Sequence, residues 1–169
     1  LDAEALCAVG DKIGADVPLC IKGGTLYSIT SGDMIAAECD TNCVFVCIYP
    51  DFTLSTAEAY AKYDENPTEI NPHYADFVSS IVCGSLSEGA GFISNVFTEI
   101  YHDSRIEEMK TDLLESGAVI SEMTGSGSVV FGVFESEETA VDAKNILSGK
   151  YPNVFMTRPV NCGVYVIER

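Results

Sequence analysis

Apolar and polar positions recur along this chain with two different periods, and the places where the period changes mark its elements. Residues 105–116 carry the clearest helical stripe. Ile106, Met109, Leu113 and Leu114 fall at i, i+3, i+7 and i+8, and Gly117 suits the position after the last turn. A second helix is predicted over 137–148, with Ala140, Val141, Ala143, Lys144 and Leu147 along it and Gly149 after it. Ser55-Thr56-Ala57-Glu58 has the capping pattern that opens a helix through about Tyr63. Further helices are predicted near 73–82 and 89–101. Strands are predicted at 43–49 (ending at Pro50), 118–122, 129–134, about 153–157 and 163–167. The turn-rich stretch 64–72, with Pro67 and Pro72, reads as a mobile loop.

Upstream of residue 41 the pattern is more broken. Residues 2–12 look like the end of a helix with Ala3, Leu6, Cys7 and Val9 on one side, stopped by Gly14. Leu19-Cys20-Ile21 reads as a short strand, Gly23-Gly24 as a turn, Thr25–Thr30 as a second strand and Ser31-Gly32-Asp33 as another turn. Residues 1–40 therefore read as the tail of one domain, without a core of their own, and 41–169 as a second, more complete domain. Antiparallel strands with helices segregated to one face imply an α+β sandwich of ferredoxin-like type. There is no internal repeat and no low-complexity segment.

Composition narrows the function classes. A net charge of −17 at pH 7, from 26 acidic and 9 basic residues, leaves no basic cluster for a duplex, so nucleic acid is excluded as a partner. Phosphate-bearing small molecules remain open, because backbone N–H groups hold phosphate without basic side chains. No apolar run approaches the roughly 20 residues that cross a bilayer, and no secretory signal opens the chain, so no membrane partner is expected. Leu1 in place of Met fits a processed or truncated start. Seven scattered cysteines do not form a secreted disulfide framework. Cys39, Cys43 and Cys47 recur every fourth residue, but no His lies near them. Cys43 and Cys47 read instead as fillers sharing a strand face with Phe45, and no metal site is expected. Reduced thiols point to the cytoplasm.

Two segments carry candidate chemistry. Gly14-Ala15-Asp16-Val17-Pro18 sets a carboxylate in a tight turn just ahead of the Leu19–Ile21 strand, where it could handle a proton. It reads equally as an aspartate shaping a turn before Pro18. Met123-Thr124-Gly125-Ser126-Gly127-Ser128-Val129 sets backbone N–H groups and hydroxyls between elements. Gly125 and Gly127 would let the backbone approach phosphate oxygens, and Thr124 and Ser126 could donate to them. An ordinary flexible connection is the alternative. His73 and His102 read as surface residues, and Glu135-Ser136-Glu137-Glu138 as a charged helix start.

These segments resemble known ones. Ile13-Gly14-Ala15-Asp16-Val17-Pro18 with Gly23-Gly24-Thr25, then Pro50–Tyr60, then Met123–Gly132 follow the order and spacing of three motifs of the 4-diphosphocytidyl-2-C-methyl-D-erythritol kinases. That family belongs to the GHMP kinase superfamily. The resemblance covers nearly the whole chain but only the C-terminal part of such an enzyme. The family's lysine strand and its Pro-x-x-x-Gly-Leu-Gly-Ser-Ser loop, which cradles ATP, are not in this sequence. It implies residues 1–40 as the tail of the GHMP N-terminal domain and 41–169 as the C-terminal domain.

By resemblance, Asp16 is the catalytic carboxylate, taking the proton of the substrate's 2-hydroxyl as that oxygen attacks the γ-phosphate of ATP. Thr124, Gly125, Ser126 and Gly127 form a phosphate loop. Tyr60 lies against a cytosine ring, with Thr56 and Ala57 lining the same pocket. ATP and Mg²⁺ are the implied cofactors of the complete enzyme, and a cytidine-diphosphate sugar-alcohol its small-molecule substrate, in non-mevalonate isoprenoid biosynthesis. The missing N-terminal half is the implied partner, and the face left bare by it could drive homodimerisation. The chain alone is expected to be inactive. The sequence departs from the family where Val96 follows Asn95 in place of an acid, at Ser128 and at Thr53-Leu54. Two rival readings are another GHMP enzyme, such as a homoserine or mevalonate kinase, and a non-catalytic ferredoxin-like ligand-binding module.

Overall fold

A computed structural model describes residues 2–28, 35–37, 42–67, 73–83 and 85–165. The chain divides into two compact units, Leu1–Asp40 with Pro159–Arg169, and Thr41–Arg158. The first opens with helix α1 (Ala3–Gly10), where the Asp2 side chain accepts from the Ala5 N–H and so satisfies one orphan donor of the first turn. Helix α2 (Val17–Lys22) follows. This corrects the strand expected at Leu19–Ile21. Three apolar residues cannot tell a strand from a short helix. The flanks decide: Pro18 sits in the first turn, where its missing N–H costs nothing, and Gly23 closes the helix at φ +69°.

Strands β1 (Leu26–Tyr27) and β2 (Ile35–Ala36) pair antiparallel, Leu26 opposite Ala36. The rest of the strand expected at 25–30 and the turn at 31–33 lie partly or wholly outside the described residues. Residues 160–164 run beside α2: the Gly24 N–H donates to Val160 C=O and the Val164 N–H to Ile21 C=O, both at 3.2 Å. Residues 163–165 are not strand, which corrects the described half of the strand expected at 163–167. Gly163 lies so close to the Ile21 carbonyl that a Cβ there would collide with it, which leaves that segment irregular.

In the second unit, strands β3 (Val44–Tyr49), β4 (Ile120–Met123), β5 (Val130–Phe134) and β6 (Asn153–Thr157) form one antiparallel sheet in the order β4-β5-β3-β6. Register sets Val46 opposite Gly132 and Met156, and Glu122 opposite Phe131. Helices α3 (Thr56–Glu65), α4 (Tyr74–Val82), α5 (Leu86–Gly89), α6 (Val96–Tyr101), α7 (Ser104–Glu115) and α8 (Glu137–Leu147) complete it. This is the expected α+β fold of helices on an antiparallel sheet, with one correction: α7 and α8 cover one face, but α4 and α5 pack on the other, so the helices do not all share a face.

Alternation within the strands sorts the core. Val44, Val46 and Ile48 of β3 join Val130 and Phe134 of β5 against Ile106, Met109 and Leu113 of α7 and Ala140, Ala143 and Leu147 of α8. On the opposite face Cys43, Ile120 and Val133 pack with Phe45, Phe131 and, from α4 and α5, Phe77 and Leu86. Cys43 and Cys47 are buried in β3 or beside it, as small fillers. Cys39 lies outside the described residues. Among those described, no group of three or more His, Cys, Asp or Glu side chains gathers as a metal site.

The helix expected over 89–101 is split. α5 runs into a 3-10 turn at Ala90–Phe92, and α6 starts afresh after Asn95, whose Oδ1 accepts from the Phe97 N–H at 2.9 Å. An asparagine that caps a new helix ends any continuous one. No helix of the described residues is long and apolar enough to cross a membrane.

Candidate functional site

The glycine loop joins β4 to β5 in the second unit. Its frame is a tight turn: the Thr124 N–H donates to Val129 C=O at 2.9 Å, and the Gly127 N–H to Thr124 C=O at 3.0 Å. Gly125 and Gly127 take φ values of +57° and +90°, which a side chain resists. They differ in surroundings. A Cβ on Gly127 would strike Met123 Sδ at 2.6 Å and Leu54 Cδ1 at 2.8 Å, whereas one on Gly125 would meet open space. Ser128 turns inward, its hydroxyl donating to Phe52 C=O at 2.6 Å. With Thr124 and Gly127 N–H used inside the turn, those of Gly125 and Ser126 donate to no protein acceptor among the described residues. Free N–H groups on a loop with two left-handed residues fit the oxygens of a phosphate.

Helix α3 meets this loop. Ser55 caps it, accepting from the Glu58 N–H at 3.3 Å, and the Tyr101 hydroxyl of α6 donates to Ser55 C=O at 3.0 Å. Partial burial first, and then the Glu58 charge, raise the Tyr101 hydroxyl above its ordinary range. Thr56 Oγ1 lies 2.8 Å from Ser126 Oγ, a hydroxyl pair that links two segments 70 residues apart. Tyr60, one turn on, shares that helix face. It is 57% exposed and meets Phe97 edge-on at 5.1 Å between ring centres, so it is not a core side chain. Ala57 is exposed on the same helix and makes no polar side-chain contact. Thr56, Tyr60 and the loop residues Thr124–Gly127 thus belong to one region of the second unit.

Asp16 belongs to the first unit. It precedes α2 rather than a strand, is exposed, and makes no capping hydrogen bond with its side chain. It lines a cavity of about 430 Å³ with Cys7, Asp11, Leu19, Lys22 and Tyr27.

Sequence reasoning missed two residues. Asn95 donates from Nδ2 to Met123 C=O and to Gly125 C=O, each at 2.8 Å. Glu122, only 7% exposed, accepts from the Thr98 hydroxyl at 2.8 Å, the Met123 N–H at 2.7 Å and Lys110 Nζ at 3.1 Å. A carboxylate that deep needs such partners. Both residues, with Tyr63, Thr124, Gly125 and Phe131, line a cavity of about 530 Å³ beside the loop. The signal for Asn95 was its place before Val96-Phe97 as a helix cap. Glu122 gave none beyond a charge in an otherwise uncharged strand.

The sheet order β4-β5-β3-β6, with a glycine loop between β4 and β5, is the frame in which the likenesses to known proteins are read. Residues 94–153 match the family described as GHMP kinases C terminal. The chain is similar to a protein named 4-diphosphocytidyl-2-C-methyl-D-erythritol kinase from Caldanaerobacter subterraneus subsp. tengcongensis, 32% identical over 94% of this chain and 56% of the relative. It thus spans little more than half the length of that curated relative. Among solved structures, a homoserine kinase from Cytophaga hutchinsonii aligns with TM-score 0.68 at 20% identity, over 87% of this chain and 52% of that one. A 4-(cytidine 5'-diphospho)-2C-methyl-D-erythritol kinase aligns with TM-score 0.68 at 17% identity, over 92% and 56%. At these identities the structural likenesses establish the fold.

Proposed function

We propose that this chain is the C-terminal part of an ATP-dependent kinase that phosphorylates the 2-hydroxyl of 4-diphosphocytidyl-2-C-methyl-D-erythritol in non-mevalonate isoprenoid biosynthesis. The observation that carries the reading is the Thr56–Ser126 hydroxyl pair, which brings the substrate-side helix against the glycine loop. The sequence likeness favours this acceptor over those of other GHMP kinases, since the two structural likenesses have the same TM-score.

In this reading Gly125 and Ser126 give N–H bonds to ATP phosphate oxygens, and the hydroxyls of Thr124 and Ser126 add to them. Phosphoryl transfer depends on placing the phosphate and neutralising its charge, so a rigid donor loop is the contribution the protein needs to make there. Asp16 accepts the proton of the attacking hydroxyl. Tyr60 offers an exposed ring for the cytosine, and Thr56 and Ala57 line its pocket. Mg²⁺ would neutralise phosphate charge; the loop's N–H groups fit anion oxygens, and of its side chains only the Thr124 and Ser126 hydroxyl oxygens could ligate a cation. The domain boundary near residue 41 separates the part carrying Asp16 from the part carrying the loop. The reaction is a cytoplasmic one.

The test supplies ATP with three acceptors, the cytidyl alcohol, homoserine and mevalonate, to the chain alone and to the chain joined to the N-terminal half of such a kinase. Turnover is expected from the joined protein with the cytidyl alcohol only. Turnover with homoserine or mevalonate would move the chain to another GHMP activity, and turnover by the 169-residue chain alone would overturn the division of the site.

A further inference from the structure

The polar groups around the glycine loop are arranged by direction. Asn95 uses its whole side chain: Oδ1 accepts from the Phe97 N–H, and both Nδ2 hydrogens go to loop carbonyls, Met123 C=O and Gly125 C=O. Glu122 holds the other backbone group of Met123, its N–H, and is itself fixed by Thr98 of α6 and Lys110 of α7. Carbonyl oxygens carry partial negative charge and repel phosphate, whereas N–H groups attract it. A loop that binds an anion must therefore turn its carbonyls away, and something must hold them there.

We infer that Asn95 is a positioning residue for the phosphate loop, holding the Met123 and Gly125 carbonyls so that the Gly125 and Ser126 N–H groups face a bound phosphate. The inference rests on the kinase reading. Asn95 touches no substrate in this role. It acts through the backbone of residues 28 and 30 positions away.

Asn95→Asp separates the two tasks of this side chain. Aspartate caps a helix as well as asparagine does, so the bond from Phe97 survives, but a carboxylate cannot donate to either carbonyl. Hydrogen exchange on the 169-residue chain should show the Thr124 and Gly127 amides exchanging about tenfold faster in the variant, the change expected when each of the two carbonyls loses one ordinary hydrogen bond. The amides of His102 and Phe97 in and beside α6 should keep their rates. In the joined kinase the KM for ATP should rise about tenfold while that for the cytidyl acceptor stays within about twofold. Unchanged loop exchange would overturn the inference. So would a released loop with an unmoved KM for ATP, or equal losses for both substrates. If the unsubstituted joined kinase phosphorylates none of the three acceptors, the kinase reading fails, and loop exchange alone then decides whether Asn95 sets the loop's shape.

Discussion

The two units of this chain are held by different means. Apart from Pro18, every buried apolar side chain among the described residues lies between Cys43 and Leu147, in the second unit. Among the described residues of the first, only Gly10 and Pro18 are buried, and order comes from turns, caps and close backbone approaches. A Cβ on Gly10 would strike Val17 Cγ1 at 2.8 Å, so α1 and α2 meet through the absence of a side chain. The candidate proton acceptor therefore sits in a unit whose geometry rests on backbone contacts, and the candidate phosphate loop in one whose geometry rests on a packed core. Since a core resists local opening far more than a set of turns does, the loop is the better-fixed of the two candidate segments.

The largest test of this contrast is a pair of truncations. Phe134→Ala removes a fully buried ring from the end of β5 and should cost about 3–5 kcal/mol in denaturant unfolding. Leu6→Ala, at a half-buried position of α1, should cost about 1 kcal/mol or less. Comparable costs at both positions would break the comparison, because the first unit would then have a core of its own.

The same contrast explains what could be read from the sequence. β3, β5, α7 and α8 were legible because a buried strand or helix writes its period into its own residues, and Ser55 and Gly117 supply local stops. α2 was misread because three apolar residues carry no period, and only Pro18 and Gly23 speak for a helix. The 89–101 segment was read as continuous because Asn95 is a cap only if its side chain turns to Phe97. The roles of Asn95 and Glu122 were illegible for a plainer reason. Their partners, Met123, Gly125, Thr98 and Lys110, are close in space and distant in sequence, and no local pattern records such pairs. The resemblance of three motifs located the loop and α3, and the structure then supplied the contact between Thr56 and Ser126.

Acid sharpens the comparison at a middle scale. In the second unit, burial works to raise the Asp112 carboxyl, but hydrogen bonds from Lys150 at 2.6 Å and Tyr151 at 2.5 Å outweigh it and hold it below the usual carboxylate range. A group depressed on folding adds stability that is full above its unfolded value, near 4, and is lost as pH falls through the lower folded value. Lys150 is 46% exposed, so solvent screens the pair and the contribution is small. Asp112→Asn should flatten the acid limb of stability. Tyr151 gives the opposite limb: burial, then the bond to Asp112, push its hydroxyl up to about 12. That stability is full below about 10, the ordinary tyrosine value, and declines as pH rises through the folded one. Asp112→Asn should therefore also weaken the alkaline limb, and an unchanged pH profile on both sides would remove this cluster from the account of the second unit.

The smallest effect bears most directly on the site. Thr56 and Ser126 meet at 2.8 Å where α3 reaches the loop, and Thr56 is exposed to water that can replace either partner. Thr56→Val and Ser126→Ala should each cost little, and their coupling in a double-mutant cycle should be about 0.5 kcal/mol. The sign matters more than the size. A favourable coupling means that α3 and the loop are joined and that ordering one helps order the other. In the kinase reading, nucleotide and acceptor would then meet on a single prepared surface, with the loop's own core supplying the rest of the rigidity. A coupling of zero would leave two motifs that are neighbours only, and the loop would owe its shape to Asn95, Glu122 and Ser128 without help from α3.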